Sequence, residues 1–425
     1  MIVDSDLILN ELKSKYKDSE NIVIPIYSDV NKHRIHNRVS LLYIYNINTE
    51  SEYIIPINHS DKIHNIRDLN FINNDAKTYT YSSGIKNSVN IDALYYFHKS
   101  TNIKESDLYT NAHAYYYNRC WRLNNINDII PLLKHKEYCK KIVDIILPLL
   151  KLCNEPGFTE YNDILLPQLK QIESAGLYTT DNTLEHTRYN PWSITGRPSN
   201  AFNGINYAAL NKDDETRERY ISRFDDGKLV EFDYDAYHLR LIANIIDYEL
   251  PDTSIHAYLG KYYFDKELLT EDEYNESKSI TFKILYGGIP KEFENIPFFS
   301  EIKKYIFEVW DIYKRKGYVQ TPIFKRKIYR DNLKSRDIKP QTLFNYTIQA
   351  VETEQNINVI KDIHTFLNDK KTKLILYTYD AMLFDLHPSE ANIMKDISNL
   401  MKFPVKCKTG RDYKNMKAFD FNIIT

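Results

Sequence analysis

Two aspartates in the second half of the chain stand where strand-like segments end. Asp233 follows the mainly apolar run at 229–232. Asp380 lies between the apolar segments of KLILYTYDAMLFDLH (373–387), which predicts a β-hairpin with Asp380 at or near its turn. Two carboxylates on neighbouring strands could hold a pair of Mg²⁺ ions about 4 Å apart, since Mg²⁺ prefers oxygen ligands. A turn aspartate can also serve only to cap its own backbone.

A helical stripe between these aspartates carries one cation and two aromatic rings. Lys278, Phe282 and Tyr286 are spaced by four residues within YNESKSITFKILYGGIP (274–290), so they would share one face of a helix. The glycine pair and the proline that follow should end that helix. Such a stripe could bind a nucleotide through its triphosphate, base and sugar. The same pattern also suits half-buried packing with a lysine that reaches back to solvent.

The composition is that of a globular protein that needs no disulfides. Of 425 residues, 43% are hydrophobic and 27% are charged, and the formal net charge is −2. We expect no transmembrane helix and no secretion signal, and therefore a cytoplasmic location, because no 18-residue apolar stretch exists and the N-terminus is charged. The many Tyr, Asn, Ile and Lys residues hint at an AT-rich genome such as that of a phage, whose product would work in the host-cell cytoplasm. The four cysteines form no CxxC pair, which argues against a zinc site; we expect most to be buried thiols.

One segment is locally basic. Residues 301–340 contain 12 Lys and Arg against 5 Asp and Glu, including the run Lys325-Arg326-Lys327. Taken alone, such a segment is an ordinary solvated surface. If the protein binds nucleic acid, the same side chains could neutralise phosphates.

The remaining pattern places secondary structure around these residues. Residues 20–58 read as strands separated by polar turns, and 137–153 and 161–176 read as helices, with Gly176 as the cap of the second helix. From about residue 229, strands and helices alternate irregularly.

Taken in order over roughly residues 160–425, these motifs resemble the A-family DNA polymerases related to bacterial DNA polymerase I. The segments that carry the resemblance are LPQLKQIESAGL, TGRPSN with Asn206, FDYDAYHLR, KSITFKILYGG, GYVQT, the pair Asn345 and Gln349, YDAMLF, and FPVKCKTGRDYKNM.

The resemblance implies an α+β fold. It would comprise a right-hand polymerase palm built on an antiparallel sheet, helical fingers, a reduced thumb, and a small N-terminal α/β domain similar to a 3′–5′ exonuclease. The implied boundaries are 1–130 for the exonuclease-like domain, 131–194 for connecting helices and a thumb remnant, and 195–425 for palm and fingers, with the fingers at about 245–315.

The resemblance also implies residue roles in template-directed DNA synthesis. The catalytic residues would be Asp233, Asp380 and Lys278. The ligands of two Mg²⁺ ions, which Mn²⁺ could replace, would be Asp233, the Tyr234 carbonyl and Asp380. The incoming dNTP would meet Tyr234, His238, Lys278, Phe282 and Tyr286. Primer-template DNA would meet Arg197, Asn206, Asn345, Gln349, Lys325, Arg326 and Lys327. Asn345 and Gln349 could instead form only a polar helix face, and His256, which matches a family histidine, could be a core residue.

Three positions depart from the family pattern. His238 stands where a glutamate normally blocks the ribose 2′-hydroxyl, which suggests weaker exclusion of ribonucleotides. Tyr274 replaces an arginine that contacts the triphosphate, a contact that Lys283 or another basic neighbour could supply. Ala381 replaces an accessory glutamate after Asp380. These changes leave open a catalytically impaired nucleic-acid-binding subunit, or a specialised polymerase that tolerates ribonucleotides.

Two regions look shortened. Only 18 residues separate Gly176 from Thr195, where the family carries a long helical thumb, so we expect low processivity unless a processivity or replisome partner replaces it. In the N-terminal region, Pro25 and Tyr27 stand where an exonuclease would carry metal-binding acids, so we expect no proofreading.

Overall fold

In a computed structural model, the chain forms two compact units, residues 1–163 and 164–425. The structure describes residues 1–30, 32–62, 69–73, 76–80, 88–99, 103, 124–199, 207, 210, 215–251, 254–333 and 338–419. Cys139, Cys153 and Cys407 are free thiols, the first and last of them buried, as the sequence suggested; Cys120 lies outside the described residues.

The first unit contains a mixed five-stranded sheet. Its strands follow the order β3-β2-β1-β4-β5, with β2 antiparallel to both β1 and β3, and β4 parallel to both β1 and β5. The strands are β1 (Asn21–Tyr27), β2 (Val39–Asn46), β3 (Ser51–Pro56), β4 (Thr78–Thr80) and β5 (Ser88–Asn90). The three strands predicted within residues 20–58 are confirmed, because the apolar side chains of these runs fill the interior of the unit.

Three helices accompany this sheet: α1 (Asp6–Lys17), α2 (Ile91–Lys99) and α3 (Leu132–Ile146). The last includes most of the predicted 137–153 helix and continues as a 3₁₀ helix, Leu147–Asn154, where Pro148 interrupts the α-helical hydrogen bonding. Helix α3 belongs to the first unit, so the unit extends past the predicted boundary at 130. The His135 ring bonds to the Asn127 carbonyl, and the Lys140 ammonium lies 4.7 Å from the centre of the Tyr45 ring.

The second unit is built on a five-stranded, fully antiparallel sheet in the order β12-β13-β9-β14-β15. Its strands are β9 (Lys228–Tyr234), β12 (Lys373–Thr378), β13 (Ala381–Leu386), β14 (Val405–Gly410) and β15 (Lys417–Ala418). The predicted hairpin is thus β12–β13, with Tyr379 and Asp380 in its turn. Smaller strands in this unit are β6 (Leu177–Thr179), β7 (Leu184–Glu185), β8 (Tyr220–Ile221), β10 (Tyr318–Gln320) and β11 (Lys327–Tyr329).

Helices cover this sheet and extend beyond it. They are α4 (Leu166–Ala175), α5 (Tyr237–Ile245), α6 (Ile255–Phe264), α7 (Glu271–Gly287), α8 (Pro297–Lys316), α9 (Pro340–Phe366) and α10 (Ile393–Leu400). Helix α4 ends at Gly176, whose φ of +62° favours glycine, as the sequence predicted. Helix α7 starts with a capping box between Thr270 and Glu273 and ends at the predicted glycine pair.

The long helix α9 joins the sheet to the helical part of the second unit. Its Phe344, Ile348 and Val351 pack in one core with Leu239 and Ile242 of α5 and with residues of α6, α7 and α8. Polar side chains elsewhere on α9, including Glu352 and Asn356, are buried too, and they contribute to the candidate active site.

The interval from Gly176 to Thr195, all of which is described, contains the short β6–β7 hairpin and extended chain, with no helix. Within the described part of the protein, no helix combines the length and apolar character needed to cross a bilayer.

Burial of His364 should make the fold sensitive to acid. Burial, with a smaller effect of Lys373, lowers the pKa of His364 to about 4, against 6.5 for a free histidine. Between these values the unfolded chain binds a proton that the folded chain does not, so stability falls as pH drops from about 6.5 to 4. We expect His364→Gln to remove roughly 2 kcal/mol of that fall, measured by urea unfolding at pH 7 and pH 4.5. Equal pH dependence in both proteins would contradict the assignment.

Candidate active site

The sheet register brings the two aspartates together. Asp233, at the end of β9, pairs with Ala381 of β13, and the Tyr234 amide donates to the Asp380 carbonyl at 3.2 Å. The predicted adjacency of Asp233 and Asp380 on neighbouring strands is therefore observed. Asp233 is half-buried and Asp380 is exposed. Both carboxylates thus lie at one end of the sheet, within reach of solvent.

A buried asparagine fixes the turn that carries Asp380. Tyr379 adopts a left-handed backbone conformation, φ +59°, and its carbonyl accepts a hydrogen bond from the Asn356 side chain at 2.8 Å. The Asn356 side-chain oxygen in turn accepts from the Tyr237 hydroxyl at 2.7 Å. Asn356 is fully buried on α9. Sequence reasoning missed it, because Asn356 follows the polar run ETEQ and no local pattern marks it as buried.

A second buried polar residue of α9, Glu352, lies beside this turn. Only 1% of it is exposed. Arg197 donates from Nη2 to Oε1 at 3.1 Å and places Nε 3.1 Å from Oε2, so the two side chains form a two-pronged ion pair. The same guanidinium lies over the Tyr379 ring, 3.8 Å from its centre. Arg197 was expected to meet DNA; in this structure Glu352 and Tyr379 hold it against the turn.

The surroundings of Asp380 disfavour its charged form. The loss of water around the carboxyl raises its pKa, and the negative charge of Glu352 raises it further, while Arg197 and His238 act in the opposite direction. A carboxylate in this setting gains stability from any additional cation.

His238 connects helix α7 to Glu352. Its Nδ1 lies 2.5 Å from the Tyr286 hydroxyl, and its Nε2 lies 3.2 Å from Glu352 Oε2. With its hydrogen on Nε2, the imidazole accepts from the tyrosine and points a donor at the carboxylate. The position predicted to face the nucleotide sugar therefore carries a ring held by the Tyr286 hydroxyl at one nitrogen, with the Glu352 carboxylate near the other.

The two aromatic residues of the predicted α7 stripe lie at the surface of the protein. Phe282 and Tyr286 are 46% and 40% exposed, and their rings are parallel with centres 6.2 Å apart. The Lys278 ammonium lies 4.4 Å from the centre of the Tyr274 ring. Each ring is about half exposed, which suits both the nucleotide-binding interpretation and half-buried packing.

His256 is the core residue that one of the two interpretations expected. It is buried on α6, its ring lies 6.0 Å from that of Phe282, and burial is the main cause that lowers its pKa to about 4. We infer that it supports the base of the stripe as a neutral ring.

One of the predicted DNA-binding residues is wrong. Arg326 is fully buried and donates from Nη2 to the Ile194 carbonyl at 2.8 Å, so its side chain cannot reach a phosphate. Lys325 and Arg326 lie in the connection between β10 and β11, and Lys327 begins β11. Of the three side chains, only that of the central Arg326 is buried. Lys325 is exposed, and half-buried Lys327 lies 5.4 Å from the centre of the Tyr318 ring.

Asn345 and Gln349 lie on successive turns of α9, and both are half-buried. The Asn345 side chain donates to the Tyr286 carbonyl at 3.1 Å, which links α9 to the end of α7. Asn206, the remaining predicted DNA contact, lies outside the described residues.

The residues at the end of the sheet suit Mg²⁺ better than a metal that needs a full protein cage. Among the described residues, no group of three or more His, Cys, Asp or Glu side chains is arranged to hold a metal. Two carboxylates and the Tyr234 carbonyl form an all-oxygen set, and Mg²⁺ takes its other ligands from water and phosphate. The raised pKa of Asp380 fits a carboxylate that a cation neutralises.

We expect the Arg197–Glu352 pair to dominate the stability of this region. Arg197→Met would leave a buried carboxylate without its cation and should cost roughly 3 kcal/mol. The double variant Arg197→Met/Glu352→Leu should cost less than the sum of the single variants, by at least about 1 kcal/mol. Urea unfolding of all four proteins measures this coupling. Additive costs would mean that the pair contributes nothing specific.

Comparison with known proteins agrees with this architecture. No protein-family model matches the sequence. DNA polymerase I of Caldicellulosiruptor bescii is 24% identical over 235 aligned residues, which cover 44% of this chain and 27% of that protein. The chain therefore matches only about a quarter of the length of this curated relative.

A solved structure matches almost end to end. The POL domain of Pol1 from M. smegmatis, in complex with DNA primer-template and dNTP, superposes with a TM-score of 0.72 and 12% identity. The match covers 98% of this chain and 99% of that one. The resemblance seen in the motifs is confirmed for the fold: the chain has the mixed α+β fold of the DNA polymerase I polymerase domain, and part of it is similar in sequence to a DNA polymerase I.

Proposed function

We propose that this protein is a template-directed DNA polymerase that adds deoxynucleotides to a primer 3′ end. The observation that carries the proposal is the pairing of β9 with β13, which sets Asp233 beside the Asp380 turn at a solvent-accessible end of the sheet. The similar M. smegmatis structure contains primer-template DNA and dNTP, which are the partners we propose here.

In this proposal, Asp233, Asp380 and the Tyr234 carbonyl hold two Mg²⁺ ions. Bound there, the ions would offset negative charge on the reacting phosphate and favour the deprotonated primer hydroxyl. Lys278 offsets charge on the leaving pyrophosphate, and the exposed rings of Phe282 and Tyr286 contact the nucleotide. The protein then contributes positioning and charge rather than covalent chemistry.

The same proposal assigns DNA contacts. Asn345, Gln349 and Asn206 would lie near the primer terminus, and Lys325 and Lys327 would contact phosphates. Arg197 would hold the Asp380 turn through Glu352 and still offer an edge to the minor groove, since about a quarter of its side chain is exposed.

Two shortened regions shape the expected activity. The absence of any helix between Gly176 and Thr195 supports a reduced thumb, and we propose low processivity unless a partner replaces it. Pro25 and Tyr27 on β1 support an exonuclease-like unit without proofreading. We propose that this unit acts as a scaffold.

Primer extension tests the proposed activity. With Mg²⁺ or Mn²⁺, a primed DNA template and dNTPs, the wild type should extend the primer. Asp233→Asn and Asp380→Asn should each lower kcat at least about 1,000-fold, because each removes one charged metal ligand. Asp396→Asn, at an exposed position of α10, is the matched control and should retain activity. An inactive wild type that still binds DNA would favour an impaired replication subunit instead.

Sugar selection tests the place of His238. The fixed imidazole should obstruct a ribose 2′-hydroxyl, so His238→Ala should lower the dNTP-over-rNTP ratio of kcat/KM by at least about 10-fold. Single-nucleotide insertion with matched dNTP and rNTP measures the ratio. If wild type already uses both equally, the polymerase is the ribonucleotide-tolerant kind; an unchanged ratio in the variant would remove His238 from sugar selection.

A further inference from the structure

The motif on α7 lacks one cation. Tyr274 stands where the family pattern has an arginine for the triphosphate, and it carries no charge to offer a phosphate. Lys283, which the sequence suggested as a replacement, is exposed on α7 five positions after Lys278, so it points away from the stripe of residues spaced by four. Any replacement must therefore come from a different element that faces the same region.

Strand β14 presents such a cation. Lys406 pairs directly with Asp233 of β9, on the side opposite Ala381. Directly paired residues of an antiparallel sheet project from the same face. Lys406 and Asp233 therefore emerge side by side at the end of the sheet.

The Asp235 carboxylate holds the Lys406 ammonium and leaves most of the lysine side chain exposed. Its ammonium lies 2.5 Å from Asp235 Oδ1, while the Lys406 side chain is 62% exposed. Asp235 also lies near Arg240, whose Nη2 is 3.6 Å from Oδ2. An ammonium has three donors, so Lys406 keeps hydrogen-bonding capacity for a ligand while one donor contacts Asp235.

Lys406 and Lys278, the cation of the α7 stripe, influence the same region of the site. The ammonium of Lys406 contacts the Asp235 carboxylate, and Tyr274 of α7 and Asp233 are among the groups close enough to act on its charge. After burial and Asp235, the charges that shift the pKa of His256 are Lys278 and Lys406. Both lysines therefore lie close enough to His256 for their charges to reach its ring, and Tyr274, which Lys278 contacts, lies 6.3 Å from the same ring.

We propose that Lys406 binds the triphosphate of the incoming nucleotide together with Lys278, and so replaces the cation that Tyr274 lacks. The proposal rests on the proposed polymerase function. It deepens that function by assigning a phosphate-binding residue to a strand instead of to helix α7. Asp235 aims Lys406, as an orienting partner that is not itself in contact with the nucleotide.

A matched pair of lysines on one strand allows a sharp test. Lys408 lies two residues after Lys406, pairs with Glu231, and is also exposed. We expect Lys406→Gln to raise KM for dTTP at least about 10-fold with a smaller change in kcat, Lys408→Gln to leave KM unchanged, and Lys406→Arg to restore most of the loss. The Kd for primer-template should stay the same in Lys406→Gln. An unchanged KM, or a loss confined to DNA affinity, would overturn the proposal.

A binding measurement separates this proposal from the polymerase activity itself. Mg²⁺ with inorganic tripolyphosphate should raise the Tm of wild type and Lys408→Gln, and raise the Tm of Lys406→Gln distinctly less. That comparison holds even if wild type fails to extend primers, which would reject the proposed function alone. Equal shifts in all three proteins, or no shift in wild type, would reject Lys406 as a phosphate-binding residue.

Discussion

The register between β9 and β13 is the constraint on which the site depends. Side chains on a strand alternate between faces, so a slip of one residue would turn Asp233 to the buried face and a neighbouring apolar residue outward. The alternation of buried Val230, Phe232 and Tyr234 with half-buried Glu231 and Asp233 makes such a slip costly. Pairing of β9 with β14 on its other side fixes the register a second time. The position of one carboxylate is thus determined by the burial of its apolar neighbours.

Helix α9 supplies the second constraint through polar groups in its interior face. Asn356 holds the turn before Asp380, and Glu352 holds Arg197 against that turn. A buried carboxylate is costly without a cation, and Arg197 fills that need. Arg197 offsets part of the Glu352 charge, and the remainder still raises the pKa of Asp380. The helix therefore sets both the shape of the turn and the charge that the turn presents.

The sequence predicted the elements better than it predicted these contacts. The β12–β13 hairpin, the strand that ends at Asp233, helix α7 and the cap at Gly176 all follow from local patterns of apolar residues, glycine and proline. Arg326 was misread because a run of three cations looks uniformly exposed, whereas the tight β10–β11 connection buries its central member. Glu352 and Asn356 were missed because their roles depend on which elements pack against α9, which no local pattern records. Lys406 was missed for a related reason: strand pairing, not sequence spacing, sets it beside Asp233.

The charged groups of this site are better understood from where they lie in the folded chain than from their positions in sequence motifs. Helix α7 lacks a cation at Tyr274, and the facing strand carries one at Lys406, held by Asp235. Helix α5 lacks a carboxylate at His238, and the facing helix carries one at Glu352, within 3.2 Å of that histidine. In both cases a charged side chain lies near the residue that departs from the motif. Coulomb interactions depend on distance and surroundings and not on which element bears the charge. A motif read along a single helix therefore registers Tyr274 and His238 only as positions where a charge has been lost. Lys406 and Glu352 place charge near two of the three departures, Tyr274 and His238, around an unchanged pair of aspartates.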